Sequence, residues 1–98
     1  MIDYLKQFNI TSENIEELKT VLPSEAIENL EVMQHNVSEV LTFLTEFGVK
    51  NIMNILKYRL DICFRSKETI EQDFTVLDKD MLIFIIDNDI DDLINFNI

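Results

Sequence analysis

The sequence predicts an all-α protein: a small single-domain bundle or a short stack of helix pairs, with about five to seven short helices. The chain has 98 residues, of which 47% are hydrophobic, and one domain of that size can bury a core. It contains one glycine and one proline, whereas sandwiches and barrels need many turns, which those residues supply. Its apolar residues recur mainly three and four positions apart, the spacing of a helix face.

The first third of the chain carries signals for where helices start and stop. The mixed apolar and polar residues 2–8 predict one or two helical turns. Thr11 or Ser12 is expected to cap the next helix. Pro23 is expected to end it, because the residue before a proline is pushed out of the α region. Ser24 is the expected cap of the helix that follows.

The clearest amphipathic stripe lies in the middle of the chain. Its apolar residues have the spacing i, i+3, i+4, i+7: Val37, Val40, Leu41 and Leu44. Asn36 or Ser38 is the expected start of this helix. Gly48, the only glycine, is its expected end, since glycine adopts the left-handed conformation that terminates helices. Residues 49–60 predict a further apolar-faced helix.

The last third of the chain predicts two more helices and a short final element. Ser66 is the expected cap of the first helix, and Asp78 or Asp80 of the second. The second helix includes the apolar run Met81 to Ile86, although a buried strand is the alternative for such a short run. The acidic run Asp87 to Asp92 is expected to be a polar break or a new helix start.

An internal repeat of about 37–38 residues is a further prediction. The apolar positions that recur are Ile15, Leu18 and Pro23, then Ile52, Ile55 and Leu60, then Ile90 and Leu93. The first two copies are each followed by a serine and a glutamate that fit the start of a second helix. Any all-helical chain of this size shows some recurrence of apolar positions, so a true repeat and a chance similarity both stay open.

The central copy carries a more specific pattern: a leucine-rich stretch ending in glycine and an aliphatic residue, a short helix, a turn, and a second helix led by Ser-x-Glu. It is carried by Leu44, Gly48, Val49, Ile52, Ile55, Leu56, Ser66, Glu68, Ile70 and Leu77. Over about 35 residues the chain resembles the helical repeat of the mitochondrial transcription termination factor family. The resemblance implies a curved stack of helices, and members of that family bind nucleic acid along a basic concave face. This chain differs from them in being acidic and in having Leu60 where the family pattern, and the first copy at Pro23, has proline.

Charge is distributed unevenly along the chain. The net charge is −11, with −7 in residues 1–47, +4 in residues 48–67 and −8 in residues 68–98. The cations of this basic segment, residues 48–67, are candidate partner-binding residues: Lys50, Lys57, Arg59, Arg65 and Lys67. Such cations hold a phosphate backbone, bind an acidic protein partner, form a solvated helix face, or pair with acids of neighbouring helices. We favour pairing within the chain, because the rest of the protein is so acidic.

No catalytic, cofactor or metal site is predicted. Asp87 to Asp92 offers the first three ligand positions of an EF-hand loop, but Asp92 stands where glycine is required and Ile98 where the bidentate glutamate is required. His35 is the only histidine, so a zinc site with two histidine ligands cannot form within the chain. We expect His35 at the surface near a helix end, and Cys63, the only cysteine, in the core.

Together these features favour a small acidic protein–protein interaction module, acting as an adaptor, regulator or inhibitor without catalytic activity. The expected partner is a protein. The alternative is a nucleic-acid-binding helical-repeat module that uses the cations from Lys50 to Lys67, and pairing of Lys57 and Arg59 with carboxylates counts against it. A lone cysteine favours a reducing compartment, hence the cytoplasm. The longest apolar run has six residues, whereas a membrane span needs about 20, so no membrane partner is expected.

Overall fold

The computed structural model describes residues 1–98 and contains helices but no strand, which confirms the all-α class. Seven α-helices lie between two 3-10 helices. In chain order they are the first 3-10 helix (Asp3–Phe8), α1 (Ser12–Val21), α2 (Ser24–Val32), α3 (Gln34–Phe47), α4 (Ile52–Tyr58), α5 (Leu60–Cys63), α6 (Lys67–Thr75), α7 (Lys79–Asn88) and the last 3-10 helix (Ile90–Phe96). They form one body of 34 × 24 × 21 Å.

The nine helical segments exceed the five to seven that the sequence predicts. The sequence predicts one helix over residues 49–60 where the structure has α4 and α5, whereas the division between α2 and α3 is predicted. A single residue separates the two helices in each pair. Met33 (φ −97°, ψ 25°) separates α2 from α3, and Arg59 (φ −138°, ψ 48°) separates α4 from α5. Neither has helical dihedral angles, and neither is a glycine or a proline, so the sequence carries no breaker signal at these points.

Most of the predicted helix starts are confirmed. The Thr11 hydroxyl accepts a hydrogen bond from the main-chain N–H of the asparagine three residues later, whose side chain accepts from the Thr11 N–H in return, both at 3.0 Å. Ser66 and Asp78 cap α6 and α7 with one hydrogen bond each, which the side-chain oxygen accepts from the main-chain N–H three residues later. The prediction for α2 is wrong by one residue, because Pro23 rather than Ser24 occupies the cap position and no side chain caps this helix.

The start of α3 is also different from the prediction. The helix begins at Gln34, before Asn36 and Ser38, because α2 leads into it through a single residue. Asn36 has another role: its side-chain amide donates to the main-chain oxygens of Cys63, at 2.9 Å, and Arg65, at 2.8 Å. This asparagine therefore ties the end of α5 to the first turn of α3.

The core is built around α3 and α4. The α3 stripe is fully buried, as predicted: Val37, Val40, Leu41 and Leu44. Helix α3 packs against the first 3-10 helix, α2, α5 and α6, whereas α4 packs against α1, α7 and the last 3-10 helix. The apolar run of residues 81–86 is helical, within α7, and its alternative as a strand is excluded. No helix combines the length and the apolar character that crossing a bilayer requires.

Three residues adopt positive φ angles, and each ends a helix. Gly48 ends α3, as predicted, while Asn9 and Asn97 end the two 3-10 helices. The surrounding hexapeptides share the pattern Leu-x-x-Phe-(Asn or Gly)-(Ile or Val), at residues 5–10, 44–49 and 93–98. In all three, the leucine and the final aliphatic residue are buried and the phenylalanine is half-buried. We call these places the three corners.

Candidate functional site

Lys57, in the middle of the basic segment, is paired with an acid of another helix. Its Nζ lies 2.7 Å from Oε2 of Glu17, which joins α4 to α1. The hydrogen bond to Glu17 raises the pKa of Lys57 above its ordinary value. The same Nζ lies 5.2 Å from the ring centroid of Tyr58. This cation is therefore engaged within the chain.

Arg59 and Arg65 share one carboxylate. Arg59 Nε lies 3.1 Å from Asp61 Oδ1, and Arg65 Nη2 lies 2.8 Å from Asp61 Oδ2. Both guanidinium groups also donate to the main-chain oxygen of Ile98. Burial alone raises the pKa of Asp61, but the hydrogen bonds and charges of Arg59, and then of Arg65, outweigh it and hold the pKa below its ordinary value. The two arginines thus fasten the C-terminal corner to α4 and α5.

The remaining two candidates lie apart from this cluster. The Lys50 side chain is exposed at the start of α4, where only its main-chain N–H is engaged, with Asp87. Lys67 is half-buried at the start of α6, in a groove beside α3. Three of the five cations therefore form ion pairs with carboxylates of the chain, although Arg59 and Arg65 share one carboxylate, and Lys67 lines a separate groove.

Asp87 has a structural role that the sequence analysis missed. Its carboxylate accepts hydrogen bonds from the main-chain N–H groups of Lys50, at 3.2 Å, and Asn51, at 2.8 Å. The side-chain amide of Asn54 donates in the other direction, to the main-chain oxygens of Ile86 and Asp87. These contacts hold the start of α4 against the end of α7. No local signal reveals them, because the partners lie more than 30 residues apart.

A cleft of about 230 Å³ lies between α4 and the junction of α7 with the last 3-10 helix. Its lining residues are Asn54, Tyr58, Asn88, Asp89, Ile90 and Asp91. We call it the Tyr58 cleft. Asp89 and Asp91 are exposed, and the ion pairs of the protein all lie elsewhere. The cleft is therefore lined by two unpaired carboxylates and one aromatic ring.

Two exposed apolar side chains lie one helical turn along the chain from residues that line the Tyr58 cleft. Phe84 is 64% exposed and lies one helical turn before Asn88 on α7, so the two share a face. Ile94 is 73% exposed and lies three residues after Asp91 in a 3-10 helix, where side chains three apart are eclipsed. Tyr58 itself is 57% exposed. The unpaired carboxylates thus share the cleft with one exposed ring, and two further exposed apolar side chains lie on the same helix faces as lining residues.

A second groove, of about 330 Å³, runs along α3 to the start of α6. It is lined by His35, Ser38, Glu39, Thr42, Phe43, Glu46 and Lys67. His35 Nε2 lies 3.6 Å from Glu39 Oε1, and Lys67 places a cation in the same groove. Its only hydrophobic lining residue is the half-buried Phe43. The groove is larger than the Tyr58 cleft, but it contains both signs of charge and only one apolar wall.

The histidine and the cysteine lie where the sequence predicts. The His35 side chain is 92% exposed beside the start of α3. Cys63 is completely buried. Burial, with a smaller contribution from the charge of Asp61, raises the pKa of the Cys63 thiol to about 12, so the thiol stays protonated at neutral pH. No group of three His, Cys, Asp or Glu side chains is placed to hold a metal ion.

Comparison of the chain with protein families, with curated proteins and with solved structures finds no match. The resemblance to the mitochondrial transcription termination factor repeat stays a prediction.

Proposed function

We propose that this protein is a small acidic protein–protein interaction module without catalytic activity, and that it binds its partner through the Tyr58 cleft. The observation that carries the proposal is a cleft lined by the exposed ring of Tyr58 and two unpaired carboxylates. Two further exposed apolar side chains, Phe84 and Ile94, lie one helical turn along the chain from lining residues. We place its action in the reducing cytoplasm, because Cys63 is a free thiol.

The physical argument starts from exposure. Large apolar side chains that stay in water while grouped on one surface mark interaction sites in soluble proteins, and scattered single ones do not. Tyrosine is also enriched among the residues that contribute most to binding energy. The carboxylates of Asp89 and Asp91 add a directional element, since unpaired charges of one sign steer an oppositely charged partner towards the site.

The nucleic-acid alternative receives less support. Binding to a phosphate backbone depends on cations that are free to displace counterions. Lys57, Arg59 and Arg65 are paired with carboxylates of the chain. The net charge of −11 also repels nucleic acid at long range.

A pull-down from the source cells tests the proposal. The tagged protein is used at low and at high salt, with and without nuclease, beside the variant Tyr58→Ala and the control variant Val32→Ala. Val32 is 83% exposed on α2, outside both clefts, so it controls for the loss of an exposed apolar side chain. We expect a protein partner that survives nuclease, is lost with Tyr58→Ala and is retained with Val32→Ala. Recovery that disappears with nuclease would contradict the proposal and favour the nucleic-acid alternative.

A further inference from the structure

We propose that the Tyr58 cleft binds a segment of a partner protein in which a lysine or arginine lies next to an apolar side chain. This inference rests on the proposed function, because it names the chemistry of the partner for the same site.

The charge of the cleft requires a positive partner. Asp89 and Asp91 line it, and both carboxylates are exposed and unpaired. The nearest cation along α4 is Lys57, which is paired with Glu17. Residues 68–98, which supply most of the cleft, carry a net charge of −8. A positive side chain entering the cleft therefore meets two free carboxylates, while the one cation nearby, Lys57, already has a carboxylate partner.

The ring of Tyr58 adds a second feature that favours a cation. Aromatic faces attract ammonium and guanidinium groups within about 6 Å of the ring centroid. Lys57 lies 5.2 Å from this centroid, so the ring already makes one such contact within the chain. With 57% of Tyr58 exposed, much of its surface remains open to a partner.

Two exposed residues near the cleft favour an apolar side chain beside the cation. Phe84 and Ile94 lie one helical turn from the lining residues Asn88 and Asp91 respectively, and both are mostly exposed. A free cation or a polyamine would leave these two side chains in water. A peptide covers them, because its neighbouring side chains extend beyond the cleft.

The size of the cleft favours a peptide side chain over a metabolite. Sites for drug-sized molecules have volumes of about 300–1,000 Å³, and this cleft has about 230 Å³. It suits one long side chain with its backbone lying across the rim. Phosphate groups are repelled by the same carboxylates, so the charge that favours a basic peptide disfavours nucleic acid.

The test is an NMR titration of the whole ¹⁵N-labelled chain with a short synthetic peptide of lysine and leucine. Two control peptides replace every lysine by glutamate or every leucine by serine. We expect shifts of the amide signals to concentrate at Asn54, Tyr58 and residues 88–94, and neither control peptide to reproduce them.

In the double variant Asp89→Asn, Asp91→Asn we expect the dissociation constant to rise about tenfold, the size expected for losing two partly screened ion pairs.

A charge-matched variant separates the cleft from general attraction to an acidic protein. The double variant Glu25→Gln, Glu28→Gln removes two negative charges from exposed positions on α2, which do not line either cleft. We expect less than a twofold change in its dissociation constant. An equal loss of affinity in both double variants would overturn the inference, as would shifts centred on the α3 groove or unchanged binding by the serine peptide.

The outcomes also separate this inference from the proposed function. A nuclease-resistant protein partner that is lost with Tyr58→Ala supports the function even where the lysine–leucine peptide fails, and then the inferred chemistry of the partner is wrong. Recovery from cells that depends on nucleic acid removes the function and this inference together.

Discussion

The chain makes a left-handed corner in the middle and at each end, but the central corner is built differently from the terminal ones. Asn9 (φ 62°, ψ 28°) and Asn97 (φ 62°, ψ 30°) lie in or beside the left-handed helical region, which asparagine tolerates better than most residues. Gly48 (φ 119°, ψ 4°) lies well outside that region, in a conformation that only glycine adopts without steric strain. A Cβ atom on Gly48 would also lie 2.8 Å from Cδ1 of Ile83 in α7.

Two of the corners share a hydrogen bond, all three share a pattern of burial, and they differ in the residue at the corner. The central and C-terminal corners have the same hydrogen bond, from the final aliphatic N–H to the leucine oxygen five residues earlier, at 3.0 Å for Val49 and 3.4 Å for Ile98. Burial of the leucine and the aliphatic residue is common to all three. The identity of the corner residue follows from its φ angle and, at Gly48, from the approach of α7.

The largest expected effect is that of Gly48→Ala. A side chain held at this positive φ angle costs about 1–3 kcal/mol, and the contact with Ile83 adds to it. We expect a loss of about 2 kcal/mol in the free energy of unfolding, seen as a fall in melting temperature of about 8–16 °C.

A double-mutant cycle divides that loss between its two causes. Ile83→Val shortens the side chain that the new Cβ would meet, so Gly48→Ala in that background loses the contact but keeps the backbone strain. We expect most of the destabilisation to remain. A melting temperature for Gly48→Ala equal to that of the unmodified protein would show that this corner does not have the positive φ angle described.

Substitutions at the terminal corners have smaller expected effects. Asn9→Ala and Asn97→Ala each put an unfavourable residue in the left-handed region, at about 1 kcal/mol. Asn9→Gly and Asn97→Gly remove that strain and are expected to stay within a few tenths of a kcal/mol of the unmodified protein. Urea unfolding measures all four. Glycine variants as unstable as the alanine variants would mean that the asparagine side chains, rather than their φ angles, matter here.

The sequence reveals the central corner and hides the terminal ones for a physical reason. Glycine is rare in this chain, and its place after an amphipathic stripe identifies Gly48 as a helix end. Asparagine is common in loops for several reasons, so Asn9 and Asn97 carry no comparable signal. The corners are 39 and 49 residues apart, which is not the 37–38-residue spacing of the predicted repeat, so that repeat stays a prediction.

The same distinction applies to the candidate site. Caps such as Ser66 involve residues three apart and are readable from the sequence. The sequence also favours pairing of the basic segment within the chain. It does not identify the partner of Lys57, since Glu17 lies 40 residues away. The Tyr58 cleft joins α4 to the end of α7, and only tertiary packing brings Tyr58 and Asp89 together.

The contact between Asp87 of α7 and the main chain just after the central corner offers a third test. Asp87→Ala removes the acceptor of the Lys50 and Asn51 N–H groups, a loss comparable to removing a helix cap, about 1 kcal/mol. The control is Asp91→Ala, which removes the same charge from a carboxylate that makes no ion pair. Urea unfolding is expected to separate the two variants, and equal stabilities would mean that the loss of Asp87 is only a change in net charge.

The smallest expected effect concerns the C-terminal corner, which is held by charge: Arg59 and Arg65 bind both Asp61 and the oxygen of Ile98. Because the folded-state pKa of Asp61 is lowered, its contribution to stability is present above the ordinary carboxyl pKa and is lost as the pH falls through the lowered value. The carboxylate is 53% exposed, so water screens it and the effect is about 0–1 kcal/mol. We expect the unmodified protein to be more stable than Asp61→Asn at pH 7 and the difference to vanish near pH 2, as measured by urea unfolding at both values.

Glu71→Gln, at an exposed position without an ion pair, is the matched control and should show no such convergence. A difference for Asp61→Asn that is the same at both pH values would mean that the charge of Asp61 does not stabilise this corner.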